Sequence, residues 1–296
     1  MPQDERHKLQ AHLQALIGDR HPTSAPAKLR ETEIYLADRF RRLGLNVASH
    51  SFKALGSTYR NVIGASPTSR SSSRSGKRSN PPLIIAAHYD TIPKSPGADD
   101  NASGLAVMLE AARKLVKVPL NGEVRFIAFC LEEHNLLGSL AYAAHLKETR
   151  QALMGAIVLE CVGFTSSQDG SQQKPPGVPI AVPTTGDFLA VVGNTASSTL
   201  AAGFEAAAKK HVPELKTVPL VVPGNGEQLP DTRRSDHAAF WHYGYPAIML
   251  TDTANFRNPN YHRPTDTIDT LDFMFMVRIA KALTAAVIKF ADHSQP

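Results

Sequence analysis

The sequence lacks any apolar run of the roughly 18 residues that a membrane-spanning helix requires, so we expect no membrane span. It has only two cysteines, Cys130 and Cys161, which excludes a framework of disulfide bonds. Each cysteine ends an apolar run, which favours a small buried residue, with thiol ligation of a metal as the alternative. The chain opens with MPQDERHKLQ rather than the apolar core of a secretory signal, which favours a cytoplasmic protein.

Aromatic residues are absent from the one strongly basic segment of the chain. The net charge is +5, and much of the positive charge lies in SPTSRSSSRSGKRSN, residues 66–80. This low-complexity composition predicts a solvated or disordered loop. Nucleic-acid binding would need aromatic residues or a recognition helix nearby, so we expect no nucleic-acid partner.

Strand and helix patterns alternate along most of the 296 residues, and we predict a single α/β domain over residues 1–296. Two N-terminal helical patterns precede a hairpin of two strands, after which strands and helices alternate. This order predicts a three-layer α/β/α sandwich, in which helices cover both faces of a mixed, mostly parallel central sheet. Residues 165–186, rich in Ser, Gln, Gly and Pro, predict a long surface insertion. The predicted strands are 47–52, 59–63, 83–87, 123–133, 154–164, 188–192, 215–223 and 245–253.

A histidine and several aspartates follow the apolar run at residues 83–87. His88 and Asp90 come directly after the run, and the loop that follows carries Asp99 and Asp100. Ligands bind at the carboxyl ends of the strands in open α/β sheets. The pattern therefore places a candidate site at this end of the sheet.

Three further glutamates and a second histidine lie at or after the ends of other predicted strands. They are Glu132 and Glu133, Glu160, and His262 in the segment YHRPTDT. Two histidines and three carboxylates exceed what one tetrahedral zinc takes, and they suit two metals about 3.5–4 Å apart that share a carboxylate. Of the adjacent glutamates, one can then act as general base and the other as ligand.

The tripeptide Ser235-Asp236-His237 contains the residue types of a hydrolase triad. Consecutive residues cannot face one another in triad geometry, and the sequence has no Gly-x-Ser-x-Gly motif. We instead expect Ser235 to cap the N-terminus of a short helix.

The combined motifs resemble the co-catalytic dizinc aminopeptidases, a family with a zinc-exopeptidase fold. The resemblance covers roughly residues 30–290, and its motifs occur in the family's order. They are AAHYD, GADDNASG, CLEEHNLLGS, LECVGF, RRSDHAAFW and YHRPTDT.

The resemblance implies five ligands for two zinc ions. His88 and Glu160 match the ligands of one zinc, Glu133 and His262 those of the other, and Asp99 the carboxylate that bridges them. Glu160 stands where most members have aspartate, so its side chain is longer by one methylene.

The resemblance also implies roles for residues around the metals. Glu132 matches the general base, and Tyr261 matches a tyrosine that stabilises the oxyanion in some members. Arg234 matches a substrate-contacting arginine. Asp90 is expected to orient His88, and Asp100 is expected to support the ligands, with a peptide bond between Asp99 and Asp100 that is often cis in the family.

The resemblance implies a zinc aminopeptidase that releases N-terminal residues from peptides, with the insertion and residues 223–231 forming the pocket walls. Glutaminyl cyclases, which are single-zinc transferases, and carboxypeptidases or deacylases on the same scaffold are the alternatives. A non-catalytic binding module is the third possibility, although such modules lose ligands and the base.

Overall fold

The computed structural model describes residues 2–67 and 80–292. Most of the predicted low-complexity loop, residues 68–79, lies outside the described residues. The strands are β1 (Asn46–Ala54), β2 (Ser57–Ala65), β3 (Asn80–His88), β4 (Gly122–Phe129), β5 (Gly155–Glu160), β6 (Leu189–Asn194), β7 (Thr217–Val222) and β8 (Ala247–Thr251). The α-helices are α1 (Pro2–Leu16), α2 (Pro26–Arg42), α3 (Gly104–Leu115), α4 (Leu137–Glu148), α5 (Ser198–His211), α6 (His237–His242) and α7 (Phe273–Asp292).

The eight strands form one sheet in the order β1-β2-β4-β3-β5-β8-β6-β7. The four central strands, β4, β3, β5 and β8, run parallel to one another. The hairpin of β1 and β2 joins one side antiparallel to β4, and β6 joins the other side antiparallel to β8. The predicted mixed, mostly parallel sheet is therefore confirmed.

Helices cover both faces of the sheet because the side chains of the central strands alternate between two apolar cores. On β3, Leu83, Ile85 and Ala87 belong to the core that includes α1, α3, α5 and α7. Ile84 and Ala86 belong to the second core, which includes α4 and α6. The predicted three-layer arrangement is confirmed. Within the two described ranges, no helix is both long and apolar enough to cross a membrane.

The predicted insertion at residues 165–186 connects β5 to β6 and is held to its surroundings by hydrogen bonds. Ser166 N donates to Gly186 O and Gln172 N donates to Thr184 O, both over 2.9 Å, which closes the segment into a loop. The buried Arg257 anchors it, since its Nε donates to Gln172 Oε1 over 2.8 Å. The insertion is thus fixed beside the carboxyl end of β8.

Two buried histidines make the fold sensitive to acid. Burial lowers the pKa of His12 and of His237 to about 4, below the ordinary value of 6.5. His12 Nδ1 lies 2.7 Å from Tyr35 Oη, and His237 Nε2 lies 2.8 Å from Thr232 O. Protonation favours the unfolded chain, so the stabilisation is complete above pH 6.5 and is lost between pH 6.5 and about 4.

We expect the free energy of unfolding of the metal-free chain to fall by about 3 kcal/mol per histidine across this pH range. Urea unfolding between pH 8 and pH 4 measures it. His12→Gln should flatten the pH dependence, whereas His211→Gln, at an exposed position, should not. An unchanged pH dependence in His12→Gln would show that His12 does not contribute.

Candidate active site

The carboxyl ends of the parallel strands bring the predicted residues to one place. His88 ends β3, Glu160 ends β5, and the segment after β8 leads to His262. The prediction that a strand extends to Glu133 is wrong, because β4 ends at Phe129 and Leu131 has a left-handed backbone, with φ 62°. Glu132 and Glu133 therefore lie in the turn after the strand.

Asp90 connects the end of β3 to that turn. Its Oδ1 accepts a hydrogen bond from Glu132 N over 3.0 Å, and its Oδ2 accepts one from Glu133 N over 3.2 Å. His88 Nδ1 lies 3.2 Å from the backbone oxygen of Asp90 and 3.7 Å from its carboxylate. Asp90 was predicted to orient His88, and the structure shows that it also holds the backbone of Glu132 and Glu133.

Asp100 lies between the two histidines. Its Oδ1 is 3.1 Å from His88 Nε2, and its Oδ2 is 3.0 Å from His262 Nε2. The two oxygens of one buried carboxylate therefore face two separate nitrogen donors, which is the position predicted for Asp99.

Asp99 points away from the histidines, so the predicted positions of Asp99 and Asp100 are exchanged. Asp99 Oδ1 accepts a hydrogen bond from Gly163 N over 2.8 Å, and its Oδ2 accepts one from Asn258 Nδ2 over 2.7 Å. Both carboxylate oxygens are thereby committed to neighbouring loops. The cis peptide bond is displaced by the same single residue and joins Asp100 to Asn101.

Asp266, which was not among the predicted site residues, holds this pair of aspartates. Its Oδ1 accepts a hydrogen bond from Asp99 N over 2.8 Å, and its Oδ2 accepts one from Asp100 N over 3.1 Å. Asp266 is fully buried and lies four residues after His262, inside the segment YHRPTDT. The presence of Asp266 in the same motif as His262 is a sequence feature from which its place at the site could be predicted.

Two groups of potential ligand atoms meet at Asp100. One is His88 with Glu160, whose Nε2 and Oε2 are 3.3 Å apart; the other is Glu133 with His262, whose Oε2 and Nε2 are also 3.3 Å apart. Ligand atoms lie within 4.8 Å of one another in three groups of residues, which are His88 with Glu132 and Glu160, Asp100 with Glu160 and Cys161, and Asp100 with Glu133 and His262. This donor set, with imidazole nitrogens and carboxylate oxygens, suits zinc.

Several of these atoms are buried without a hydrogen-bond partner among the described residues. They are His88 Nε2, Asp100 Oδ1, Glu133 Oε1 and His262 Nε2. Buried polar atoms normally have partners, because leaving one unpaired costs free energy. One cation in each group would satisfy these atoms, so the residues fit a pair of metal ions.

Burial and mutual repulsion set the pKa values of the carboxylates at the site. Burial raises the pKa of Glu132 well above its ordinary value; the charge of His88 lowers this pKa, and the charges of Glu160 and Glu133 raise it further. Burial and the charge of Asp100 raise the pKa of Glu133 to about 7. Glu132 Oε2 lies 3.9 Å from His88 Nε2. A raised pKa lets a carboxyl group both take up and release a proton near neutral pH.

Glu160 is held by the segment that was predicted to begin a helix. Ser235 Oγ donates to Glu160 Oε2 over 2.7 Å, and Cys161 Sγ donates to Glu160 Oε1 over 3.2 Å. The prediction that Ser235 is the N-cap is wrong, since α6 begins at His237 with no side-chain cap. The serine hydroxyl instead fixes the longer glutamate side chain.

Tyr261 and Arg234 lie together at the edge of the site. The Tyr261 ring stacks on His262 with centroids 3.9 Å apart, and Arg234 Nη2 donates to Tyr261 Oη over 3.3 Å. Arg234 Nη1 also donates to Asn255 Oδ1 over 2.7 Å, and its side chain is 42% exposed. A phenol and a guanidinium therefore lie next to the candidate ligand His262.

An apolar pocket opens beside Glu160 and Tyr261. Its cavity volume is about 90 Å³, and the insertion contributes one wall through Val178, Ile180 and Val182. The opposite walls are Phe188, Val218, Leu220 and Met249, from the neighbourhood of β6, β7 and β8. The segment 223–231 was also expected to line the pocket, and it contributes Asp231 to the pocket wall.

Comparisons with known proteins show which proteins the chain is similar to. A model of Peptidase family M28 matches residues 61–287. The uncharacterized protein YfbL of Escherichia coli (strain K12) is 33% identical over 300 residues, which cover 94% of this chain and 88% of YfbL. Aminopeptidase YwaD of Bacillus subtilis (strain 168) is 58% identical over 66 residues, which are 22% of this chain and 14% of that protein.

Among solved structures, BSAP, a zinc aminopeptidase from Bacillus subtilis, is 30% identical and superposes with a TM-score of 0.59. The match covers 79% of this chain and 50% of that chain, so this chain corresponds to half the length of BSAP. Because the family model covers well over half of the sequence, and the predicted family resemblance is thereby confirmed, the chain belongs to Peptidase family M28.

Proposed function

We propose that this chain is a zinc-dependent aminopeptidase that removes N-terminal residues from peptides and uses two zinc ions. The observation that carries the proposal is the position of Asp100 between two groups of ligand atoms, with the buried Glu132 beside them. Membership of a peptidase family and the aminopeptidases among the relatives support the prediction of a hydrolase acting on peptide bonds.

The residues present would hold one zinc through His88 and Glu160 and the other through Glu133 and His262, with Asp100 shared. When bound, the zinc ions supply Lewis acidity, which polarises the scissile carbonyl and increases the acidity of a water molecule. Asp90 and Asp266 keep the ligands in place through the hydrogen bonds described above.

Glu132 is the proposed general base. Its carboxylate lies beside His88 without being one of the shared ligands, and burial raises its pKa. It can therefore accept the proton of the attacking water and then donate it to the leaving amine, which breaks the peptide bond as the new carboxyl group forms.

The proposed ligand Glu160 and two side chains beside the ligands would select and orient the peptide. Glu160 carries a negative charge suited to the free α-amino group, which would restrict cleavage to the N-terminal residue. The Tyr261 hydroxyl can donate to the oxygen of the tetrahedral intermediate. Arg234, at the exposed edge, can contact the peptide backbone.

The apolar pocket predicts a preference for a large apolar side chain at the N-terminal residue. We expect kcat/KM for leucyl and phenylalanyl anilides to exceed that for the alanyl anilide by at least about tenfold. Val218→Asp should remove the preference, because a charge would enter the pocket. Val221→Asp, on the same strand but 44% exposed and outside the pocket, should retain it.

The decisive experiment combines zinc content per chain with hydrolysis of aminoacyl anilides and their N-acetylated counterparts. The proposal predicts two zinc ions and cleavage that requires a free α-amino group. One zinc with cyclisation of an N-terminal glutamine would favour the glutaminyl cyclase. Cleavage of the acetylated compounds would favour a deacylase or carboxypeptidase, and a chain without zinc or activity would favour the binding module.

A further inference from the structure

A fully buried arginine from the N-terminal part of the chain reaches residues 89–97, which we call the metal-ligand loop because it lies between the proposed ligands His88 and Asp100. Arg20 follows α1 and has an exposed fraction of 0%. It lies outside residues 61–287, the part that the family model matches. The connection between α1 and α2 therefore does more than join two helices, because its Arg20 side chain reaches the backbone next to the candidate ligands.

The guanidinium of Arg20 joins three stretches of backbone. Its Nη1 donates to Leu16 O over 2.7 Å and to Gly18 O over 3.1 Å, which fixes the arginine to its own segment. Nε donates to Tyr89 O over 2.9 Å, at the end of β3. Nη1 and Nη2 donate to Pro96 O and Gly97 O, each over 3.0 Å, in the loop before Asp99.

These acceptors are adjacent to the proposed ligands in sequence. Tyr89 stands between His88 and Asp90, and Gly97 stands three residues before Asp100. A planar guanidinium holds its donors in a rigid fork, so it fixes the distance between the two backbone segments it bridges. Arg20 N also donates to Thr91 Oγ1 over 2.8 Å, which adds a second tie to the same strand end.

Gly97 shows how closely the arginine fits against the loop. A Cβ at this position would lie 2.6 Å from Arg20 Nη2 and 2.4 Å from Thr91 Cγ2. Its φ of +60° is also in the left-handed region that favours glycine. The guanidinium therefore fits against the loop only because residue 97 is a glycine and has no side chain.

The charge of Arg20 suits its surroundings. Burial lowers its pKa to about 10, while the carboxylates of Asp100, Asp266 and Asp90 act in the opposite direction. The guanidinium is therefore protonated at neutral pH. A buried cation is costly unless opposite charges and hydrogen bonds compensate it, and here the site supplies both.

We propose that Arg20 is a positioning residue, which holds His88 and Asp100 at the separation needed to bind the two zinc ions. The proposal rests on the proposed function in assuming that these side chains bind zinc. Arg20 touches neither ligand side chain and acts through the backbone on either side of them.

The test is Arg20→Lys, which keeps the positive charge and removes the guanidinium fork. We expect zinc affinity to fall by about 10- to 100-fold, as for other residues that support metal ligands. Competition with a chromophoric chelator measures the affinity, on chains shown by circular dichroism to be folded. We also expect kcat to fall while KM stays nearly unchanged. The matched control is Arg30→Lys, where the arginine pairs with Glu33 at the surface of α2.

A folded Arg20→Lys variant with zinc affinity within twofold of the wild type would overturn the proposal. If this variant does not fold, Thr91→Val decides, because it removes one tie and leaves the arginine in place. Weaker zinc binding in Thr91→Val supports the positioning role, and unchanged binding overturns it.

Zinc binding by the wild-type chain distinguishes failure of the proposed function from failure of the proposed role of Arg20. A wild-type chain that binds no zinc would refute the proposed metal site, and hydrogen exchange on that chain would then test Arg20. Faster exchange at residues 89–100 in Arg20→Lys than in Arg30→Lys would still support the bridging role, and equal exchange would refute it.

Discussion

Glu132→Gln is expected to lower kcat by about 10²- to 10⁴-fold, the usual contribution of a general acid–base residue. Glutamine has nearly the same shape but cannot accept the proton of the attacking water. The backbone N–H of residue 132 still donates to Asp90, so the turn should retain its conformation. Steady-state hydrolysis of leucyl anilide measures the loss, and KM should change little.

The zinc content of Glu132→Gln shows whether its activity falls because the general base is missing or because the metal site is disrupted. Glu132→Gln should retain the wild-type zinc content, since the proposed ligands His88, Asp100 and Glu133 are unchanged. Glu205→Gln, on α5, replaces a partly buried glutamate outside the site and should have wild-type activity. Activity within threefold of wild type in Glu132→Gln would rule out Glu132 as the base.

Asp100→Asn and Asp99→Asn should differ sharply in zinc binding. Asp100 faces both histidines, so its replacement removes a shared negative charge, and we expect zinc affinity to fall by more than the roughly 10- to 100-fold typical of a supporting residue. Asp99→Asn should still bind zinc at wild-type stoichiometry. It should lose about 1–3 kcal/mol of unfolding free energy, because an amide cannot accept from both Gly163 N and Asn258 Nδ2.

Zinc analysis of the two dialysed variants, together with urea unfolding, measures both effects. Loss of zinc from Asp99→Asn with retention in Asp100→Asn would contradict the geometry and restore the assignment predicted from the sequence. The pair is closely matched, since the same chemical change is made at adjacent buried positions.

The predicted location of the site depended on sequence features that act over short distances. An apolar run followed by His88 and Asp90 places these residues at a strand end, because a buried parallel strand must be apolar throughout and polar residues therefore mark its end. The same reasoning placed Glu160, and the motif YHRPTDT placed His262. The pairing of strands then brings these separate ends to one edge of the sheet.

The exchange of Asp99 and Asp100 shows where this reasoning stops. The two residues are chemically identical and adjacent, so composition and spacing cannot distinguish them. Their directions depend on the local backbone conformation, which Asp266 sets from a loop more than 160 residues away by accepting both of their N–H groups. Ser235 is a similar case, since its hydroxyl can cap a helix or donate to Glu160, and the structure shows that it donates to Glu160.

By itself, the sequence determined the alternation of strands and helices, the three-layer fold and the set of residue types that meet at the strand ends. These follow from local patterns of apolar and polar residues, which secondary structure converts directly into faces and ends. The tertiary structure alone decided which aspartate faces the histidines, the apolar character of the pocket beside Glu160, and the approach of Arg20 to the metal-ligand loop. Each of these depends on contacts between segments distant in the chain, whose directions no local pattern encodes.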